Sequence, residues 1–321
     1  MRPATHLAEW LYEEGIGEAR AILVEDGSIR EAAIELPGLR AGAVVPARLT
    51  NVAGAAMLGG GIEAMVSPLP PGLSEGAAFR AEVLREAIPE QGRPKPPKVR
   101  ATELPIGDGP ALRQRIGNPP PLASHGPDRF EQAGWSELLE EAASGEIFFE
   151  GGALRMSVTP AMTLFDVDGS LPPADLAEAG AAAAARAILR FGITGSIGID
   201  LPTLKRDQRQ PAASAVDAIL PQPFERTAVN GFGLLQIVRR RERPSLPELL
   251  QADPIGAAAR ALLRRAERHS GPVTLHAAPA LIGRIEAEWV AALQRRVGGT
   301  VTLRAEPGLA ISAGHVEGRP I

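Results

Sequence analysis

Met162-Thr163-Leu164-Phe165-Asp166-Val167, closed by Asp168-Gly169, precedes an Ala-rich stretch from Ala174 to Phe191 and then Ser196-Ile197-Gly198-Ile199-Asp200. The first and last runs are short and apolar and read as strands, and the alanines between them as a helix. A strand–helix–strand unit predicts a layered α/β domain. Upstream, Ile147-Phe148-Phe149, the turn Glu150-Gly151-Gly152 and the run Ala153 to Val158 predict a hairpin, so the sheet should be mixed. Downstream the alternation continues. A helical stretch delayed by Pro211, a strand from Leu234 to Arg240 and a helix from Leu246 to Arg268 with a break near Pro254 come first. A strand from Val273 to His276, a helix from Pro279 to Val297 and a last strand from Thr300 to Arg304 follow. The expected α/β core is therefore 146–321.

The N-terminal part reads differently. Ala19 to Glu25 and Ser28 to Leu36 flank Asp26-Gly27, a strong hairpin signal, and residues 1–37 are expected to return to the core. Short runs at Ala43 to Leu49, Ala55 to Leu58, Glu63 to Val66 and Ala78 to Leu84 predict a small β-barrel over 38–101. Residues 91–98 form a Pro-rich basic loop. The stretch 102–145 reads as an irregular linker, with a helix from Phe130 to Ala143.

Composition narrows the function classes. The 321 residues are 45% hydrophobic and 22% charged, which excludes wholesale disorder. There is no Cys, which excludes disulfides, thiolate zinc sites and a cysteine nucleophile. The net charge of −4 does not announce a nucleic-acid binder, although a local basic face binds phosphate on an acidic protein. Lys occurs only at 95, 98 and 205, so nearly all positive charge is Arg. The first twenty residues carry Glu9, Glu13, Glu14 and Glu18, unlike a signal peptide, and the bland run Ala179 to Ala185 is too short to span a bilayer. A cytoplasmic protein without membrane contact is expected. The five histidines (6, 125, 269, 276 and 315) show no metal-ligand spacing.

Asp166, with Asp168 two residues on, and Asp200 close two apolar strands. Strand C-terminal ends face the crevice where α/β sheets bind ligands. If the strands are neighbours, the two carboxylates repel unless a cation lies between them, and open oxygen sites suit Mg²⁺ or Mn²⁺. Equally, Asp166 and Asp200 fit as turn or capping residues after strands. Lys205, Arg206 and Arg209 follow Asp200 and read either as phosphate contacts or as helix-surface charge. Arg239, Arg240, Arg241 and Arg243 read either as RNA contacts or as a solvated rim.

Asp166-Val167-Asp168-Gly169-Ser170-Leu171 resembles the first motif of the haloacid-dehalogenase-like phosphohydrolases, which would make Asp166 a nucleophile. No adjacent acidic pair follows Gly169 to complete that family's Mg²⁺ site. A longer resemblance runs through the chain in several blocks. Arg20 to Gly27 with Ile34 to Gly38, the barrel segment Glu75 to Val83, Leu164 to Gly169, Gly195 to Asp200, Gly231 to Ile237 and Val273 to Pro279 are similar, in order, to the ribonuclease E/G family. The resemblance implies a ribonuclease-H-like mixed-sheet core with an inserted S1-type (OB-like) barrel. It implies a metal-dependent endoribonuclease acting on single-stranded RNA. Asp166 and Asp200 would then be catalytic residues holding Mg²⁺ (or Mn²⁺), assisted by Asp168. A catalytically degenerate RNA-binding protein is the other reading of the same blocks. Asp168 stands where the family usually has Asn, and Gln236 where it usually has an acid. The family's cysteine zinc link is absent, so a homo-oligomer, if formed, would not be zinc-linked. No Arg-Thr pair in 102–130 matches the family's 5′-phosphate sensor.

Overall fold

The computed structural model describes residues 8–90, 92 and 94–320. Residues 1–7 of the N-terminal segment, 91 and 93 of the Pro-rich loop, and 321 lie outside the described residues. The chain is mixed α/β, with three open sheets and one closed barrel.

Strands β1 (Glu9–Glu14), β2 (Ala19–Glu25) and β3 (Ser28–Glu35) form an antiparallel sheet in that order. Asp26 (φ 52°) and Gly27 (φ 77°) make the tight β2–β3 turn that their identities predict. Strand β1 was not anticipated. Its buried residues, Leu11 and Tyr12, are consecutive and sit among acids, so no alternation marks it.

Strands β4 (Val44–Leu49), β5 (Ala55–Leu58), β6 (Ile62–Val66), β7 (Ala78–Arg85) and β8 (Lys98–Ala101) close into a barrel in the order β4-β5-β6-β8-β7. Its interior is built from Ala47, Ala56, Ala64 and Ala81 with Leu49, Leu58, Val66, Val83 and Val99. Small side chains suit a five-stranded barrel, whose lumen is narrow. Phe79, the barrel's one aromatic, is packed against this core.

The linker carries α1 (Leu112–Arg115), α2 (Arg129–Gln132) and α3 (Trp135–Ser144). The helix expected from Phe130 to Ala143 is split at Gly134, whose φ of 93° no helix contains. Next come β9 (Glu146–Phe149), β10 (Gly152–Val158), β11 (Thr163–Gly169), α4 (Pro173–Arg190), β12 (Gly195–Asp200), α5 (Arg209–Ile219), β13 (Glu225–Arg226) and β14 (Leu234–Arg239). The six strands form one mixed sheet in the order β13-β14-β12-β11-β10-β9. Only β11 and β12 pair in parallel, joined by α4 as the crossover.

Ile147, Leu154, Phe165, Val167, Ile197, Ile199, Leu235 and Ile237 from the sheet share one core with the alanines and Ile188 of α4. Ile22, Ile29 and Ala32 of the N-terminal sheet join the same core. Helix and sheet approach closely: a Cβ on Gly180 would lie 2.3 Å from Cγ1 of Val167. The opposite face of the sheet takes no part in this core.

The chain ends with α6 (Leu246–Ala252), α7 (Pro254–Ala266), β15 (His269–Ala277), α8 (Pro279–Ile282), α9 (Ala287–Val297), β16 (Val301–Ala305) and β17 (His315–Pro320). Strands β16-β15-β17 form a separate sheet with its own core, so 146–321 holds two cores rather than one. The helix expected over 279–297 is two helices. Strand β17 was unanticipated because Gly318 and Pro320 are poor strand residues.

Buried arginines tie these parts together. Arg20 on β2 is 1% exposed and faces Glu13, Glu18 and Glu267 within 4 Å. Arg264 on α7 donates to Glu13 at 2.9 and 3.0 Å, to Asp128 at 2.7 Å and to Glu131 at 3.0 Å. It therefore joins β1, the start of α2 and α7. Burial pushes Glu18 and Glu267 above the usual carboxylate range despite the nearby guanidinium groups. Burial also acts to raise Asp128, but the hydrogen bonds and charge of Arg264 outweigh it and hold that carboxyl low. Removing one member of a buried ion network leaves the others unpaired. Arg264→Ala should lower unfolding free energy by about 3 kcal/mol in urea denaturation; a loss under about 1 kcal/mol would mean the network is replaceable by water.

Candidate functional site

Strands β11 and β12 pair so that Asp166 lies directly opposite Asp200. On the other side of β11, Arg155 is the cross-strand partner of Asp166, and Glu146 is the partner of Arg155. One register row therefore reads Glu146, Arg155, Asp166, Asp200 and Leu234 across five strands. Period-2 alternation sends Phe165, Val167, Ile197 and Ile199 into the α4 core, and so turns Asp166, Asp168 and Asp200 to the open face. All three acids are exposed. Asp200 ends its strand as expected, whereas Asp166 stands three residues before the end of β11.

In-register neighbours on parallel strands are about 4.8 Å apart, so Asp166 and Asp200 are direct like-charge neighbours. Among the described residues neither makes an ion pair within 4 Å. Asp168 meets Arg155 at 3.6 Å, with both side chains largely in water, so this contact holds either group only weakly.

Two glycines shape the surroundings. A Cβ on Gly198 would lie 2.9 Å from Cδ1 of Leu164 and 3.2 Å from Sδ of Met162, so an apolar floor closes beside the acids. Gly233 has φ +98°, its carbonyl accepts from the Leu201 amide at 3.2 Å, and a Cβ there would lie 2.1 Å from the Leu201 oxygen. The Gly231-Phe232-Gly233 block thus fastens the turn before β14 to the residue after Asp200, and leaves Phe232 86% exposed.

Among the described residues no group of three or more His, Asp or Glu side chains is arranged to hold a metal ion. The donor set is two carboxylates. That suits Mg²⁺, which keeps several waters and is often held by one or two carboxylates together with substrate phosphates. It does not suit zinc, which takes three or four nitrogen, sulfur or oxygen ligands from the protein.

The cations fall into two groups. Lys205 and Arg206 are exposed in the segment that follows Asp200. Arg209 donates from Nε and Nη2 to the Leu204 carbonyl, both at 3.1 Å, and so closes that segment on itself. In the second run, Arg239 donates to the Ile193 carbonyl at 2.9 Å. Arg241 pairs with Glu248 and approaches Glu90, and Arg243 lies 3.8 Å from Glu86 on the barrel side. Arg240 is the exposed member, beside Glu242 at 3.3 Å. Arg239 is therefore held within the core, Arg241 and Arg243 have partners at the barrel–core junction, and the structure does not bring this run to Asp166 and Asp200.

Arg155 and Glu146 were missed in the sequence. The signal was present: the Glu150-Gly151 turn sets the β9–β10 register, and alternation along β10 turns Arg155 outward.

Asp200→Asn removes one of two facing charges without touching the core. In thermal unfolding without metal it should leave stability unchanged or raise it by up to about 1 kcal/mol. Mg²⁺ at about 100 times its dissociation constant should add about 2.7 kcal/mol to the native protein and little to the variant. An equal response in both proteins would place Mg²⁺ elsewhere.

No protein-family model matches this chain, and no curated protein matches it significantly in sequence.

Proposed function

We propose that this chain is a metal-dependent endoribonuclease that hydrolyses phosphodiesters of single-stranded RNA, as its resemblance to the ribonuclease E/G family implies. The observation that carries this reading is the in-register placement of Asp166 beside Asp200 on an open sheet face. Such a pair is unfavourable alone and favourable around a divalent cation. Asp166 and Asp200 would hold Mg²⁺ (or Mn²⁺), and zinc has no part. When bound, the ion supplies Lewis-acid stabilisation of phosphoryl oxygens and an activated water. Asp168, one pleat along β11, orients an outer water. Arg155 offers planar guanidinium donors to a non-bridging phosphate oxygen beside the acids. Lys205 and Arg206 meet a neighbouring phosphate. The ribonuclease-H-like reading of the six-stranded core, RNA as partner, a cytoplasmic location and any homo-oligomer held without zinc belong to the same proposal.

Single-stranded RNA incubated with the protein and Mg²⁺ should be cut internally, leaving 5′-phosphates. Asp166→Asn, Asp200→Asn and chelation should each lower the rate at least about 100-fold. Arg155→Ala should weaken RNA binding more than it slows the cut. Removing the 5′-phosphate of the RNA should change the rate little. RNA held but never cut would favour the binding-protein reading. Turnover of a small phosphomonoester through an aspartyl phosphate trapped on Asp166 would make the chain a phosphohydrolase of the haloacid-dehalogenase type instead.

A further inference from the structure

Beside the edge strand β9 lies a cleft of about 580 Å³ whose residues have no part in the acid pair. Its walls are the β2–β3 turn, the C-terminal half of α4 and the end of α5. The volume falls within the range of small-ligand sites. Two kinds of side chain line it. Ile29, Phe149 and Leu189 are apolar and largely covered, and the ring of Phe148 is 76% exposed. Arg30, Arg186 and Arg190 supply positive charge. Arg30 is held by Glu25 at 2.9 Å, and Arg190 by Glu141. Arg186 is exposed and, among the described residues, makes no ion pair or hydrogen bond.

We propose that this cleft binds one unpaired nucleotide, with its base against Phe148 and the apolar wall and its phosphate on Arg186. The chemistry is complementary on both counts. An exposed phenylalanine offers a flat face on which any base stacks. A guanidinium donates two parallel hydrogen bonds to a phosphate. Arg30 and Arg190 are already matched by Glu25, which also lines the cleft, and by Glu141, so Arg186 is the cation left for an anion there. An acidic peptide would use the arginines but leave the ring uncovered. A purely apolar ligand would leave Arg186 without an anion.

The position extends the endoribonuclease reading, on which the role of the site rests. Phe148 pairs with Ala153, and Ala153 with Asp168. Two strand spacings, about 10 Å, separate Phe148 from Asp168. The walls of the cleft belong to the α4 side of the sheet and Phe148 to its edge strand, so an RNA strand held at the acid pair would reach the cleft by passing round β9. The cleft would hold that strand beyond the edge of the sheet.

The test is binding without metal. A fluorescent oligouridylate of eight residues is titrated with the full chain in EDTA and followed by anisotropy. Phe148→Ala and Arg186→Glu are both exposed, and each should keep the native melting temperature. Each should weaken binding about tenfold. Arg186→Glu should also make the affinity less salt-dependent, by one to two phosphate contacts. Uridine monophosphate should displace the oligomer at least about ten times better than uridine or inorganic phosphate alone. Asp200→Asn should bind as the native chain does or more tightly. Variants that bind like the native protein, or a monophosphate that fails to compete, would overturn the site. So would an oligomeric state that Phe148→Ala disperses with no change in nucleotide binding, because a second copy would then cover the ring. If the binding pattern holds while no RNA is cut, the cleft stands and the nuclease reading falls. If RNA is cut and the variants bind and cut normally, the reverse is true.

Discussion

The parallel pairing of β11 with β12 is the constraint on which the rest of the structure depends. Parallel strands cannot be joined by a tight turn, so a crossover element must pass over one face of the sheet. Helix α4 does so, and Gly180 lets it settle onto Val167 closely. Once α4 covers one face, alternation assigns every second residue of β11 and β12 to it, and the remainder to the open face. Phe165 and Ile199 go inward. Asp166 and Asp200 go outward, and the register sets them side by side. A slip of one residue in either strand would bury a carboxylate or separate the pair. The acids are therefore adjacent as a consequence of the core, and the electrostatic tension between them is stored by packing elsewhere.

Charge in this protein does two different jobs. Arg20, Arg260 and Arg264 are almost fully buried and bind segments far apart in the chain, as in the contact of Arg260 with Glu18 at 2.9 Å. Arg241 and Arg243 face Glu90 and Glu86 of the segment next to β7 in the same way. These groups are matched with carboxylates and have little left to offer a ligand. Asp166 and Asp200 on the open face, Lys205 and Arg206 after it, and Arg186 by the cleft at β9 have no such ion pair among the described residues. Two unpaired carboxylates set side by side are where binding of a cation gains most, because the cation removes their mutual repulsion.

Much of this was legible in the sequence, and the misses have physical causes. Asp26-Gly27 placed the β2–β3 hairpin, the short runs between turns placed the barrel, and the alanines between two apolar runs placed α4. Strand β1 escaped because Leu11 and Tyr12 break alternation, and β17 because glycine and proline interrupt it. The helix expected from Phe130 breaks at Gly134, whose backbone is left-handed, and the one expected from Pro279 breaks before α9 at Glu286, whose backbone is extended, a break with no local signal. In the site, Asp166 and Asp200 were found from their place in two strands, but nothing local says which strand neighbours which. Arg155 was overlooked because its meaning depends on the β10–β11 register. The run Arg239 to Arg243 reads equally as RNA contact or solvated rim in the sequence, because the carboxylates that engage Arg241 and Arg243, Glu90 and Glu86, lie about 150 residues earlier in the chain.

The most direct test of the central claim is an anomalous-scattering map from crystals of the protein soaked in Mn²⁺. The expected result is one strong peak between Asp166 and Asp200, with an oxygen of each carboxylate within about 2.3 Å of it. A map with no peak there, or with manganese bound only at other acids, would contradict the view that these two carboxylates are held together to share a metal.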